Sequence, residues 1–206
     1  MEYRVSVIIP FNRDRGWLAD AVNSVPKYCQ LILSKGDGNW PQNFNKALPM
    51  VEGEYIKWLH EDDMLTPNSI ADSVACLDDT GADFIHGDAI EIKEGRVGQR
   101  IYKPPITIPN VQDLLFRNSL HSSTMMYRKS VFDRLGGLDE SPDIDALEEY
   151  EFNLRCLKAG LKIAYCPHTL SIYRRHPQQK IRIATATSLD RYEKNKRREQ
   201  LKAKFV

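Results

Sequence analysis

The 206-residue sequence predicts an α/β fold: a mostly parallel central sheet flanked by helices, with a smaller mixed region in the second half and a basic helix at the end. Three observations predict it. Short apolar runs alternate with helical segments at close spacing through the first half, the pattern of βαβ units. The first run, Tyr3–Pro10, is too continuously apolar for a half-exposed strand and reads as one buried on both faces. With 42% apolar residues the chain can fill a substantial core, which argues against disorder.

The elements follow in order. After the first strand, Leu18, Ala21, Val22 and Val25 stand at helical spacing, and Pro26 ends that helix. Gln30–Ser34 is a second strand, Lys35–Gly38 a loop and Asn43–Met50 a weak helix. Glu54–His60 is a third strand. Thr66 is the expected cap of a helix with Pro67 at its first position, running to about Asp79. Ala82–His86 is a fourth strand. Ile90–Lys103 reads as a hairpin turning at Glu94–Gly95. Asn110 caps a short helix holding Leu114, Leu115 and Phe116. Thr124–Arg128 is a strand and Ser130–Leu135 a helical turn. Ala146–Ala159 is a helix closed by Gly160. Leu161–Cys166 and Leu170–Arg174 are two further strands, and Ser188–Phe205 is a helix. The organisation is one domain over residues 1–176 plus an extension over 177–206.

Charge divides the chain at the same place. Residues 1–173 carry 18 Lys and Arg against 25 Asp and Glu, net −7; residues 174–206 carry 11 against 3, net +8. The acidic body argues against non-specific nucleic-acid binding. No apolar run reaches the roughly 20 residues of a membrane span, and the opening lacks a signal-peptide pattern, so the expected location is the cytoplasm. Cys29, Cys76, Cys156 and Cys166 are widely spaced and read as reduced thiols. Zinc held by Cys166, His168 and His176 would lack a second ligand pair at zinc spacing.

Common nucleotide and nucleophile motifs are absent: no GxGxxG follows the first strand, and neither GxxxxGK[ST] nor GxSxG occurs. What remains is polar residues at strand ends, where ligands of open parallel sheets bind. Three such ends, Pro10-Phe11-Asn12, Gly36-Asp37-Gly38 and His60-Glu61-Asp62-Asp63, would converge on one crevice. Three consecutive carboxylates repel one another, and a divalent cation relieves that repulsion; a solvated turn before a helix is the plainer account. Asp37 is either a hydrogen-bond acceptor for a base or ribose, or an ordinary Asp-Gly turn. Glu148, Glu149 and Glu151 either favour the dipole of their helix or supply a general base. In Tyr173-Arg174-Arg175-His176, the arginines suit phosphate and the histidine a metal, although a lone His is more often unspecialised.

Taken together and in order, these pieces resemble the family-two inverting glycosyltransferases of the Rossmann-like GT-A fold. Val5–Pro10 is similar to that family's VSVIIPTYNR opening. Asn45, Gly53-Glu54-Tyr55-Ile56 and Leu59–Pro67 (LHEDDMLTP) follow, the last similar to LDxDDxxxP. Met126–Glu140 (MYRKSVFDRLGGLDE), Glu148–Arg155 (EEYEFNLR, similar to EDYDLWLR) and Tyr173–His176 (similar to YRxH) complete a match over roughly residues 3–177. The resemblance implies that Pro10, Phe11, Asn12, Asp37, Asn45, Glu61 and Asp63 serve the nucleotide-sugar. It implies that Asp62 binds a divalent cation, Mn or Mg, with His176 assisting, and that Glu149 is the catalytic base. Three departures stand out: His60 replaces the first Asp of the DxD motif, Glu149 replaces Asp, and SKGDG replaces DDGS.

The implied reaction is a single displacement from a nucleotide-diphosphate sugar to a hydroxyl of a glycan or lipid-linked acceptor, with residues 104–123 and 139–147 shaping the acceptor side. The departures motivate a rival, a non-catalytic nucleotide- or carbohydrate-binding module of the same fold. A nucleotidyltransferase would show a Gly-rich basic loop where this chain has Pro10–Gly16. The basic tail is either a solvated helix packing a few apolar side chains on the body, or a weak peripheral contact with an anionic membrane.

Overall fold

The computed structural model describes residues 4–93, 99–103, 110–179 and 187–206. Their strands are β1 (Val5–Phe11), β2 (Gln30–Lys35), β3 (Tyr55–Trp58), β4 (Met64–Leu65), β5 (Phe84–Lys93), β6 (Gln99–Tyr102), β7 (Met126–Arg128) and β8 (Ile163–Arg175). The helices are α1 (Leu18–Ser24), α2 (Trp40–Ala47), α3 (Ser69–Thr80), α4 (Val111–Phe116), α5 (Lys129–Leu135), α6 (Glu148–Lys158) and α7 (Ser188–Ala203).

All eight strands join one sheet in the order β2-β1-β3-β7-β5-β8-β4, with β6 beside β5. β1 pairs in parallel with β2 and β3, and β5 in parallel with β8; β7, β6 and β4 run against their neighbours. Five strands therefore share one direction, and the three reversed ones belong to the mixed region.

Alternation along β1 explains why both faces are covered. Val5, Val7 and Ile9 face a core completed by α1 and α3 through Ala21, Ile70 and Leu77. Ile8 faces the other core, where Ile56 and Trp58 of β3 meet α2, α4, α5 and α6. That second core is aromatic. Phe84 stacks on Tyr127 at 5.3 Å and Phe132 on Phe152 at 4.8 Å, and Trp58 lies 4.8 Å from Tyr127. Such pairs add about 0.5–1.5 kcal/mol each beyond burial.

The structure corrects several boundaries. α2 starts three residues earlier than the weak pattern suggested, because Asn39 and Gln42 form a reciprocal capping box with Pro41 in the first turn. α3 starts after Asn68, not Thr66, whose hydroxyl donates to Thr169 O at 2.6 Å and ties the loop to β8 instead. The two strands expected around residues 161–174 are one, β8, because a register shift opposite Gly87 and Asp88 absorbs the irregular middle. β5 runs unbroken from Phe84 into the expected hairpin, whose turn at Glu94–Gly95 lies outside the described residues. α4 begins at Asn110 as expected, through a capping box with Asp113.

α7 packs on the body. Leu201 is buried in the aromatic core with Phe205 against it, and Lys158 Nζ donates to Lys204 O at 3.1 Å.

Candidate active site

Two corners of the sheet meet at the carboxyl ends of β1, β2 and β3. The first is held by backbone. β1 carries buried Pro10 and ends at half-buried Phe11, with Asn12 exposed beyond it. Gly36 N donates to Phe11 O at 3.2 Å. The buried Asn43 amide donates to Phe11 O, Gly36 O and Gly38 O at 3.1–3.2 Å, which fixes the loop bearing exposed Asp37. A Cβ on Gly36 would collide with Asn43 Oδ1, so a side chain there would have to displace the Asn43 amide. Asn45 lies two residues further along α2 and is otherwise engaged. Its side chain exchanges hydrogen bonds of 2.8 Å with the backbone of Leu138 and donates to Glu140 at 2.7 Å, fastening the segment after α5.

The second corner is the acidic turn after β3. Leu59 N still bonds Ile8 O at 2.9 Å, and Asp63 N bonds His60 O at 3.1 Å, so the turn begins as the sheet pairing ends. β4 then pairs with β8 and draws the turn against Arg174–His176. Asp62 Oδ2 lies 2.8 Å from Nε2 of buried His176, and Arg174 donates from Nε to Asp62 O at 3.2 Å. Asp63 is fully buried; Oδ1 accepts from Arg174 N at 3.0 Å, and Oδ2 has no partner. Burial, and then the charge of Asp62, push Asp63 well above the usual carboxylate range. Burial and Asp62 also raise Glu61, which pairs with Arg15 of the loop after β1.

Glu149 reaches this turn from the first turn of α6. Its Oε1 is 3.3 Å from His60 Nε2, with each side chain about one-fifth exposed. Burial opposes protonation of His60, but the hydrogen bond and charge of Glu149, with Asp63 and Asp62, outweigh it and lift the pKa to about 10. The neighbouring acids have different tasks. Glu151 pairs with Arg155 at 2.8 Å, and that guanidinium also caps Leu135 O and Gly137 O. Glu148 is buried.

A family model described as "Glycosyltransferase like family 2" matches residues 18–201. The chain belongs to this family. No curated protein matches it. Among solved structures, the TarS 1–349 fragment of S. aureus in complex with UDP-GlcNAc is similar at 16% identity, with TM-score 0.69, covering 98% of this chain and 71% of that one. The same fragment with UDP gives 17% identity, TM-score 0.65 and coverages of 98% and 70%. The mannosyltransferase PcManGT of Pyrobaculum calidifontis, in complex with GDP-Man and Mn2+, gives 14%, 0.57, 82% and 56%. At these identities the likeness establishes the fold, which is GT-A.

This family 2 glycosyltransferase also uses residues that motif reading passed over. Trp17 lies against His176 with ring centroids 4.0 Å apart, and Arg174 sits over the Trp17 ring, so the loop after β1 clamps the end of β8. Trp40 meets His60 edge-on at 5.1 Å. His121 bonds Ser123 through Nδ1 at 2.8 Å, and Ser123 bonds Ser171 at 2.6 Å. Burial lowers His121 to about 4, and Glu91, His60, Lys57 and Glu149 are the charges that act on it. Lys57 is fully buried under the acidic turn, donating to Ser123 O at 2.8 Å and Met125 O at 3.0 Å. A lysine inside an apolar strand was the available signal; the histidine and tryptophans had none, because their contacts arise from chain crossings.

Among the described residues no three His, Cys, Asp or Glu side chains form a ready cage for a cation. Cys166, His168 and His176 accordingly do not come together, and the cysteines are free thiols. An open cation site of one or two carboxylates completed by ligand phosphates needs no such cage. The unpartnered Asp63 Oδ2 beside Asp62 fits that description.

Proposed function

We propose that the protein is an inverting glycosyltransferase that moves a sugar from a nucleotide-diphosphate donor to an acceptor hydroxyl by single displacement. The observation that carries this reading is the 3.3 Å approach of Glu149 to His60, which joins the start of α6 to the acidic turn of the donor corner. Pro10, Phe11, Asn12 and Asp37 receive the nucleoside, while Glu61 and Asp63 border the diphosphate. Asn45 supports this pocket from α2. Asp62, oriented by His176 and assisted by Asp63, holds a divalent cation, Mn or Mg; when bound it offsets the charge of the departing diphosphate. PcManGT, of the same fold, binds Mn2+ with GDP-Man.

In the transfer step Glu149 accepts the proton of the acceptor hydroxyl. The acceptor oxygen bonds to the anomeric carbon as the bond from that carbon to the diphosphate oxygen breaks on the opposite face. The nucleoside diphosphate leaves with the electron pair. Holding both partners in line is the main contribution of the scaffold.

Residues 1–176 constitute the transfer unit and 177–206 its basic appendage. The acceptor is a glycan or a lipid-linked molecule, with no role for nucleic acid. No helix among the described residues is long and apolar enough to cross a membrane. The location we propose is the cytoplasm, with weak peripheral contact to anionic membrane through the tail.

Replacing Glu149 by Gln tests the assignment. Nucleotide-sugar binding should persist while transfer falls at least about a hundredfold. An active Glu149→Gln enzyme alongside an inactive Glu148→Gln or Asp145→Asn enzyme would move the base to another carboxylate. One observation favours a second reading, a non-catalytic binding module: a protonated His60 against Glu149 weakens it as a base. Nucleotide-sugar binding without transfer or hydrolysis by the unaltered protein would support that module.

A further inference from the structure

The last helix is built inside out. Leu189 and Tyr192 are 67% and 61% exposed, whereas Lys194, Arg197 and Arg198 turn toward the body on the same stripe as buried Leu201. Spacings of three and four residues put those four side chains on one helical face. An inward stripe is ordinarily apolar. Among the described residues the apolar anchors of the helix are Leu201 and Phe205, and the cations above them occupy positions that apolar side chains would ordinarily fill.

Arg198 lies over the Tyr150 ring at 5.2 Å, one residue beyond Glu149. The charges acting on half-buried Lys194 are Glu149, Arg198, Glu148 and Arg197. Among the described residues three cations thus share this face with two carboxylates, and Glu149 also meets His60. Arg197 Nε and Arg198 Nε are both buried without a hydrogen-bond partner. Desolvated donors left unpaired are costly, and a guanidinium is shaped to bind a phosphate with two parallel bonds.

We propose that the inward face of α7, through Lys194 and Arg197 with Arg198 beside them, binds the phosphate of a phosphate-ester acceptor whose free hydroxyl is presented to Glu149. The word acceptor rests on the transferase reading; the anion site does not. Two sources share this chemistry, a soluble polyol phosphate and a phospholipid headgroup.

Calorimetry on the full chain without donor tests the site. Glycerol 1-phosphate is the soluble probe, glycerol its neutral counterpart, and phosphatidylglycerol vesicles against phosphatidylcholine vesicles the lipid arm. Wild-type protein should bind glycerol 1-phosphate and ignore glycerol. Lys194→Ala/Arg197→Ala should weaken binding at least tenfold, whereas Lys196→Ala, on the exposed side of the helix, should leave it unchanged. If the double variant does not melt cooperatively, Lys194→Gln and Arg197→Gln should each weaken binding severalfold. Binding to phosphatidylglycerol vesicles alone, lost in the same variants, would assign the lipid source. The proposal is overturned if neither anionic probe binds, if the variants bind as wild type does, or if Lys196→Ala weakens binding equally. Failure of the transferase reading is separate: it appears as absent transfer in Glu149-intact protein, whatever the calorimeter records.

Discussion

The corner around Phe11 and the surroundings of Glu149 are built by different means. Around Phe11, Gly36 and Asn43, position is fixed by sheet pairing and by one buried amide bonding three carbonyls. Around Glu149, in the first turn of α6, charged side chains meet across elements: His60 from the turn after β3 at 3.3 Å, with Lys194 of α7 within reach of its charge. Backbone anchoring is insensitive to pH and salt; paired side chains are not. On the proposed reading, rigidity falls to the nucleotide side and adjustability to the acceptor side.

The largest effect should come from the acidic turn, where the two constructions touch. Asp62→Asn leaves His176 its hydrogen bond but removes a full negative charge. Metal-dependent nucleotide binding should be lost, by at least tenfold in calorimetry with manganese, while the melting temperature changes little. Unchanged nucleotide affinity would separate the turn from the donor site altogether.

The next test strikes the backbone-anchored side. Gly36→Ala forces the Asn43 amide away from its three carbonyls. Each buried group left unpaired costs about 1–3 kcal/mol. A destabilisation of that order in chemical denaturation, together with weakened nucleotide binding, is expected. Nucleotide affinity that survives would show that the Asp37 loop takes no part in recognition.

A pH experiment separates two groups whose shifts have opposite sign. The pKa of His60 is raised to about 10 by Glu149, Asp62 and Asp63 against burial, so its stabilisation is complete below pH 6.5 and declines as pH rises toward 10. The pKa of Lys57 is lowered to about 7 by burial, with Asp63 and Cys166 opposing. Below pH 7 it imposes its full destabilisation, which is relieved as pH rises toward 10.5. Between pH 7 and 10 the two slopes oppose each other. Lys57→Met should expose a steeper loss of stability with rising pH, and His60→Gln should expose a gain. Parallel curves for wild type and both variants would remove these two groups as the source.

Much of this contrast was legible in the sequence, but unevenly. A β-branched run dictated β1, an aromatic and aliphatic run interrupted by Lys57 dictated β3, and the order of motifs brought Glu61–Asp63, Glu148–Arg155 and Tyr173–His176 into one reading. Alternating charge and polarity did not show that Asn43, two residues before Asn45, knits the corner around Phe11, because a buried amide and an exposed one look alike in sequence. Nor could a count of tail charges show which way the helix faces. Leu201 and Phe205 are too few to dominate a periodicity, so Lys194, Arg197 and Arg198 passed as solvated residues. Orientation there is set by the body it meets.

The smallest expected effect concerns backbone strain on the adjustable side. Ala146 adopts φ +63°, the only described non-glycine residue in the left-handed region, three residues before Glu149. That conformation costs an L-residue about 1–2 kcal/mol. It swings the chain out of the Pro142–Ile144 turn and into α6, and so sets where Glu149 emerges. Ala146→Gly removes the steric penalty but loosens the unfolded chain, which takes back about 0.4–1 kcal/mol. The net gain should be under about 1 kcal/mol, a rise of roughly 1–3 °C in melting temperature for a chain of this size. Transfer should stay within about twofold, since glycine retains the same turn. A lower melting temperature would mean that the Ala146 methyl contributes more by packing than its backbone loses by strain. An unchanged melting temperature with impaired transfer would show that the methyl group stiffens the approach to Glu149, adding a backbone element to the side assembled from charge.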